Sequence, residues 1–194
     1  MQTVFFDIDT QLDFMVPAGA LYVPGAESIL DRIAVLNRYA ASQGIPVIST
    51  TDAHSEDDPE FKVWPHHCVV GTVGQQKCGV TLLEKRLVIP NAACASAIAG
   101  IQQIVIEKQT IDVYSNVNLP AILRELAADR YVVYGVVTEI CVQTAVTGLL
   151  KTGARIEVVT DAVRSLSDEA GAKALAGFTA AGCALTTLAK VTSE

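Results

Sequence analysis

Three residue types able to do covalent chemistry recur at similar places in this sequence. The stretch TVFFDIDTQLDF, Thr3 to Phe14, ends an apolar run in three carboxylates, Asp7, Asp9 and Asp13. Lys108 closes the run IQQIVIEK, and Cys141 stands four residues past Val137 in YVVYGVVTEIC. A thiol titrates near 8.5, and only its thiolate is a good nucleophile. A helix N-terminus and a nearby ammonium both favour the thiolate. A carboxylate beside it can take the proton and later return it to a leaving group. Backbone N–H groups in the turn before the helix would face a developing oxyanion. Taken singly, each residue also has an ordinary structural role, as a turn cap, a surface charge or core packing.

A second group lies between Asp52 and His67. All three histidines of the chain, His54, His66 and His67, fall in DAHSEDDPEFKVWPHH with the only tryptophan, Trp64. Asp52-x-His54 follows an apolar run, and carboxylate plus imidazole is an ordinary ligand set for Zn²⁺, Fe²⁺ or Mn²⁺. The competing reading is a solvated acidic loop.

These residues need a frame to bring them together. Runs of strand type (TVFFDI, IPVIST, IQQIVIEK, YVVYGVV, RIEVVT, CALTTL) alternate with segments of helical period. The helical segments are Ala26–Ser42, ended by Gly44; LPAILRELAADR, with Pro120 in its first turn; EICVQTAVTGLLKTG; and a helix capped by Ser167 that runs to Ala180. Strands without polar alternation, each followed by a helix, predict a three-layer α/β/α domain on a mostly parallel, six-stranded sheet. RLVIP, 86–90, is short enough to be loop or an extra edge strand. Ligands of such sheets bind beyond the carboxyl ends of the strands. Asp9, Asp52, Lys108 and Cys141 all fall there.

The 194 residues carry a formal charge of −7 and are 51% hydrophobic. One domain, 1–194, is expected, with no internal repeat or linker. The absence of a basic cluster argues against nucleic acid. No apolar run reaches the roughly 20 residues of a membrane span, and no signal-peptide pattern is present, so a cytoplasmic protein is expected. Five cysteines without CxxC spacing argue against a disulfide framework or a zinc finger. Cys68, Cys78, Cys94 and Cys183 have no assigned role, and neither do Asp7, Glu107 and Asp112.

Two families share features with these motifs. An apolar strand followed by Asp-x-Asp resembles the opening of haloacid-dehalogenase-type phosphatases. That motif has Thr or Val four residues after its first Asp, where Gln11 stands here, and VVTDAVRS is a poor match to its later Asp pair. DTQLDF, VIEKQTIDVYSN and YGVVTEICVQTAV together resemble the isochorismatase-like cysteine hydrolases, in the same order and over nearly the whole chain. The resemblance implies that Cys141 attacks an amide carbonyl, Asp9 serves as base and acid, and Lys108 holds both. The N–H groups of Val137 and Cys141 would form the oxyanion hole, next to a cis peptide at Val136–Val137.

WPHHCVVGT is similar to the metal segment of the family's nicotinamidases. This implies Asp52, His54 and His67 as ligands, Glu60 at a variable ligand position and His66 as an off-site neighbour. It further implies a divalent transition metal, no organic cofactor, and Phe14 and Trp64 as walls for a pyridine ring. The expected reaction is hydrolysis of nicotinamide to nicotinate and ammonia, with pyrazinamide also accepted. The alternatives are another small-amide hydrolase of the family and a catalytically idle metal-binding member. Family members are often dimers or tetramers, so a homo-oligomer is expected.

Overall fold

A computed structural model describes residues 1–95 and 97–193. Seven strands form one sheet: β1 Thr3–Ile8, β2 Val47–Asp52, β3 Arg86–Ile89, β4 Gln103–Lys108, β5 Arg130–Val136, β6 Arg155–Arg164 and β7 Ala184–Thr186. Their order is β3-β4-β2-β1-β5-β6-β7, and every pairing is parallel. The sheet therefore has one strand more than the six expected. The seventh is RLVIP: its residues 86–89 pair only with β4, at the sheet edge. With one neighbour and an outer side open to solvent, its burial alternates, so it lacks the continuous apolar signal of the inner strands.

The helices are α1 Leu12–Met15, α2 Leu30–Ser42, α3 Leu119–Leu126, α4 Gln143–Leu150, α5 Asp168–Ala180 and α6 Leu188–Val191. Helix α2 turns Ile33 and Leu36 onto the sheet, both fully buried. Each such side chain contributes about 1.5–3 kcal/mol relative to an exposed one. Helix α5 begins where Ser167 accepts a hydrogen bond from the Ala170 N–H, as its sequence predicts. Two helices are shorter than their periodicity suggests. Helix α3 stops at Leu126 because Ala127 turns left-handed, at φ +44°. Residues 138–142 form a wide turn, closed by the Val142 N–H on the Val137 carbonyl at 3.1 Å, before α4 begins.

Strand β1 is central and the chain leaves it in both directions, first to β2 and later to β5, so the switch of strand order lies between β1 and β5. Gly135 sits at that seam with φ +115°, and a Cβ there would stand 2.1 Å from the Ile8 carbonyl oxygen. Only glycine lets the two backbones approach so closely.

Candidate active site

Four adjacent strands deliver four functional side chains to one edge. Lys108 ends β4 and Asp52 ends β2, and the two are register partners. Asp9 follows β1, and Cys141 lies in the wide turn after β5. Asp7 and Asp9, two residues apart, would share a face of a regular strand. They separate because Asp9 takes φ +49° just past the strand end. Its backbone N–H is held by the Thr50 carbonyl at 3.2 Å, and the Thr50 hydroxyl donates to Asp9 Oδ1 at 2.5 Å.

The Lys108 ammonium is fully buried among the others. It ion-pairs with Asp52 Oδ1, lies 3.0 Å from Asp9 Oδ2 and donates to Cys141 Sγ at 3.9 Å. Burial works against its charge, yet Asp52 and Asp9 hold it protonated far above the usual lysine range. Burial raises the Asp9 carboxyl, with Lys108 opposing. Burial likewise pushes the Cys141 thiol well up against Lys108, while Asp52 and a hydrogen bond to Asp9 reinforce the shift. The buried thiol thus keeps its proton to higher pH than a free thiol does, with the Asp9 carboxyl in contact with it. The Val136–Val137 peptide bond is cis, and the Val137 carbonyl accepts from the Ile140 and Val142 N–H groups.

Asp52 also faces the histidines. His54 Nε2 and His67 Nε2 lie 3.8 and 3.6 Å from Asp52 Oδ2. One ligand atom from each of the three residues falls within 4.8 Å of the others. His67 Nδ1 donates to the Pro65 carbonyl at 2.7 Å, which turns its Nε2 toward Asp52. Burial disfavours a charged His54, but Asp52 and Asp58 raise its pKa. Burial also opposes ionisation of Asp52, yet Lys108 and the two imidazoles keep its carboxyl far below the usual range.

His54 is fully buried, and neither ring nitrogen makes an aligned hydrogen bond. Its polar neighbours are carboxylates, Asp58 Oδ2 at 3.1 Å from Nδ1 and Asp52 Oδ2 at 3.8 Å from Nε2, and buried nitrogens short of aligned hydrogen bonds are uncommon in a folded protein. Two nitrogens and a carboxylate in this arrangement are a donor set that a divalent transition metal fits.

Other residues flagged by the sequence separate by position. Glu60, on the turn Pro59–Lys62, groups with His54 and Asp58 rather than with the Asp52 cluster. Burial, then Asp52, raises its carboxyl. His66 stacks on Phe61, ring centres 4.1 Å apart, and Phe61 packs in turn against His54 and His67. Phe14 and Trp64 line one open pocket together with Asp52, Glu60, His67 and Cys141. Val137 and Leu21 complete its mostly apolar wall. Glu107 is raised by burial, and its carbonyl accepts from the Asn116 amide. Asp112 caps the turn at Val113–Ser115.

Sequence reasoning missed Asp58, whose Oδ2 stands 3.1 Å from His54 Nδ1. It is one of several acidic residues in the same loop, and nothing in their spacing singles it out. Gln11 was missed as well. Its amide oxygen accepts from the Asp52 N–H at 2.6 Å, and its amide nitrogen donates to the Asp52 carbonyl at 2.8 Å. That pair of bonds clamps the backbone of the shared carboxylate.

The family model described as an isochorismatase domain matches residues 3–190. The nicotinamidase of Escherichia coli K12 is 28% identical over 212 residues, covering 94% of this chain and 93% of that one. An isochorismatase family protein, PncA, of Bacillus subtilis 168 is 29% identical, covering 92% and 94%. Among solved structures, the pyrazinamidase of Pyrococcus horikoshii in complex with zinc superposes with a TM-score of 0.82 at 25% identity, covering 96% and 99%. An isochorismatase-like hydrolase from Alkaliphilus metalliredigens has a TM-score of 0.85 at 20% identity, covering 100% and 98%, and shows the shared fold.

Proposed function

This chain belongs to the isochorismatase family, and on that premise we propose that it hydrolyses nicotinamide to nicotinate and ammonia through a thioester on Cys141. The observation that carries this reading is the shared pocket. The thiol, two residues of the imidazole–carboxylate cluster and two aromatic walls line one mostly apolar pocket, the kind of lining that takes an aromatic ring with a polar group at one end.

In this reading Asp9 accepts the thiol proton as Sγ attacks the carboxamide carbon. The N–H groups of Val137 and Cys141 face the oxyanion. Asp9 then protonates the departing amine, which leaves as ammonia. It next takes a proton from water, whose oxygen attacks the thioester carbon, and returns that proton to the Cys141 sulfur as nicotinate leaves. Lys108 keeps Asp9 and the sulfur in place through its contacts to both. Phe14 and Trp64 hold the ring, which sets the carbonyl near the sulfur.

Asp52, His54 and His67 would hold a divalent metal, with Glu60 near enough to contribute. Bound there, it supplies a Lewis-acidic point beside the thiol that can receive a ring nitrogen. The E. coli nicotinamidase and the zinc-bound pyrazinamidase support this reading as relatives.

The test is ammonia release from a panel of nicotinamide, pyrazinamide and N-carbamoyl compounds, with pyruvate release read for isochorismate. Turnover of the first two alone is expected. Preference for an N-carbamoyl compound would move the assignment to another amidase of the family. No turnover of any amide would favour an idle metal-binding member.

A further inference from the structure

We propose that Asp13 is a positioning residue for the two imidazoles. It would act through the backbone that carries them, an inference that rests on reading Asp52, His54 and His67 as a metal site. Asp13 is buried beneath the pocket wall, and neither of its carboxylate oxygens meets a lysine or arginine among the described residues. Backbone N–H groups hold it instead. Oδ2 accepts from Cys68 at 2.6 Å and Oδ1 from Ala20 at 2.9 Å. A buried carboxylate is a strong acceptor for such donors.

Cys68 directly follows His67 and adopts φ +46°, a conformation that non-glycine residues rarely enter. The Asp13 bond is made to the N–H of this turn. The Cys68 carbonyl then accepts from the His54 N–H at 3.1 Å, and the His54 carbonyl from the Val70 N–H at 2.9 Å. One carboxylate thus anchors the turn that places His67 and, through one further bond, the backbone of His54.

The carboxylate has no room to move. A Cβ on Gly74 would lie 2.2 Å from its oxygens, and one on Gly19 would lie 2.3 Å from the Asp13 carbonyl. The Asp13 N–H donates to the Gly74 carbonyl at 3.0 Å, and the Asp13 carbonyl accepts from the Leu21 N–H at 3.1 Å. Leu21 lines the pocket, so the same residue fixes a wall of the site.

The test is zinc affinity of the purified full chain, read by competition with a chromogenic chelator, alongside metal content and melting temperature in excess chelator. Asp13→Asn keeps the shape but presents a donor to one of two N–H groups. It should weaken zinc binding about tenfold or more, as loss of outer support to metal ligands does. Gly74→Ala, which crowds the same carboxylate, should do likewise and decides the matter if Asp13→Asn does not fold. Tyr134→Phe is the control. It removes the hydrogen bond from Tyr134 to Asn37, in a cluster apart from the imidazoles, and should lower the melting temperature with zinc affinity within about twofold of wild type.

Tight zinc binding by Asp13→Asn or Gly74→Ala, or weakening in Tyr134→Phe equal to theirs, overturns the inference while the metal site stands. A wild-type chain that holds none of zinc, iron or manganese overturns the site and the inference together.

Discussion

Two aspartates near the end of β1 show how differently one fold can treat a buried charge. Asp7 is saturated. Its Oδ1 accepts from the Thr10 hydroxyl at 3.0 Å; its Oδ2 accepts from Asn37 at 2.8 Å and Ser49 at 3.4 Å and pairs with Lys77 at 2.7 Å. Lys77 in turn reaches Thr10, and Tyr134 donates to Asn37 at 2.5 Å. Asp9 also faces a buried lysine, but its Oδ2 receives no aligned hydrogen bond, and nearby His54 meets only the carboxylates of Asp58 and Asp52, at 3.1 and 3.8 Å, neither in aligned hydrogen-bond geometry. Buried polar atoms are nearly always satisfied, so the saturated cluster reads as structure and the bare one as a place kept for ligand and chemistry.

The sharpest way to break this contrast is to exchange the consequences of the two residues. Asp9→Asn and Cys141→Ala should each lower amide turnover by about 10³-fold or more with the melting temperature close to wild type. Single-turnover assays and thermal denaturation on the same preparations check this, and an active Asp9→Asn enzyme would remove Asp9 from the chemistry. Asp7→Asn should do the reverse. It leaves the Lys77 ammonium buried without its charge partner, costing about 3 kcal/mol of stability by urea denaturation, while the folded fraction keeps most of its turnover.

His54→Ala should remove an imidazole whose polar neighbours are the Asp52 and Asp58 carboxylates, with no aligned hydrogen bond to lose. Metal content by elemental analysis should fall below about a tenth of wild type, with a stability change under about 1 kcal/mol in excess chelator. A larger loss of metal-free stability would mean that His54 is satisfied in some other way.

The last effect is alkaline. Burial raises the acids Cys78, to about 11, and Cys141 and Tyr134, both well above their ordinary 9.0 and 10.0. Above those ordinary values the unfolded chain sheds protons that the folded chain keeps, so folding stability is full below about pH 9 and declines as pH rises. Each group contributes a slope of up to about 1.4 kcal/mol per pH unit. Denaturant titrations from pH 8 to 11 under reducing conditions should show the decline. Tyr134→Phe should flatten it above pH 10 and Cys141→Ala from about pH 9, one from each cluster.

The inner strands were legible in the sequence because burial on both faces writes an unbroken apolar run. Strand β3 was not, because an edge strand carries half that signal. Motif residues that follow strands were legible as a set, since a parallel sheet sends every strand end to the same side. The parting of Asp7 from Asp9 was not, because it turns on a left-handed φ at a non-glycine residue. Asp58, Gln11 and Asp13 stayed hidden for a related reason. They bond to ring nitrogens, backbone groups and turns whose positions exist only after residues far apart in sequence have met.

Gly135, where β1 and β5 press together, also bears on how the chain is made. The central strand is the first of the seven to be synthesised, yet its second flank stays open until Arg130–Val136 has emerged. A partly made chain therefore carries an exposed apolar edge until that strand emerges, the kind of edge that pairs with other chains. The last neighbour to arrive is also the one whose following turn carries the thiol, so the nucleophile joins Asp9 and Lys108 only as that edge is sealed.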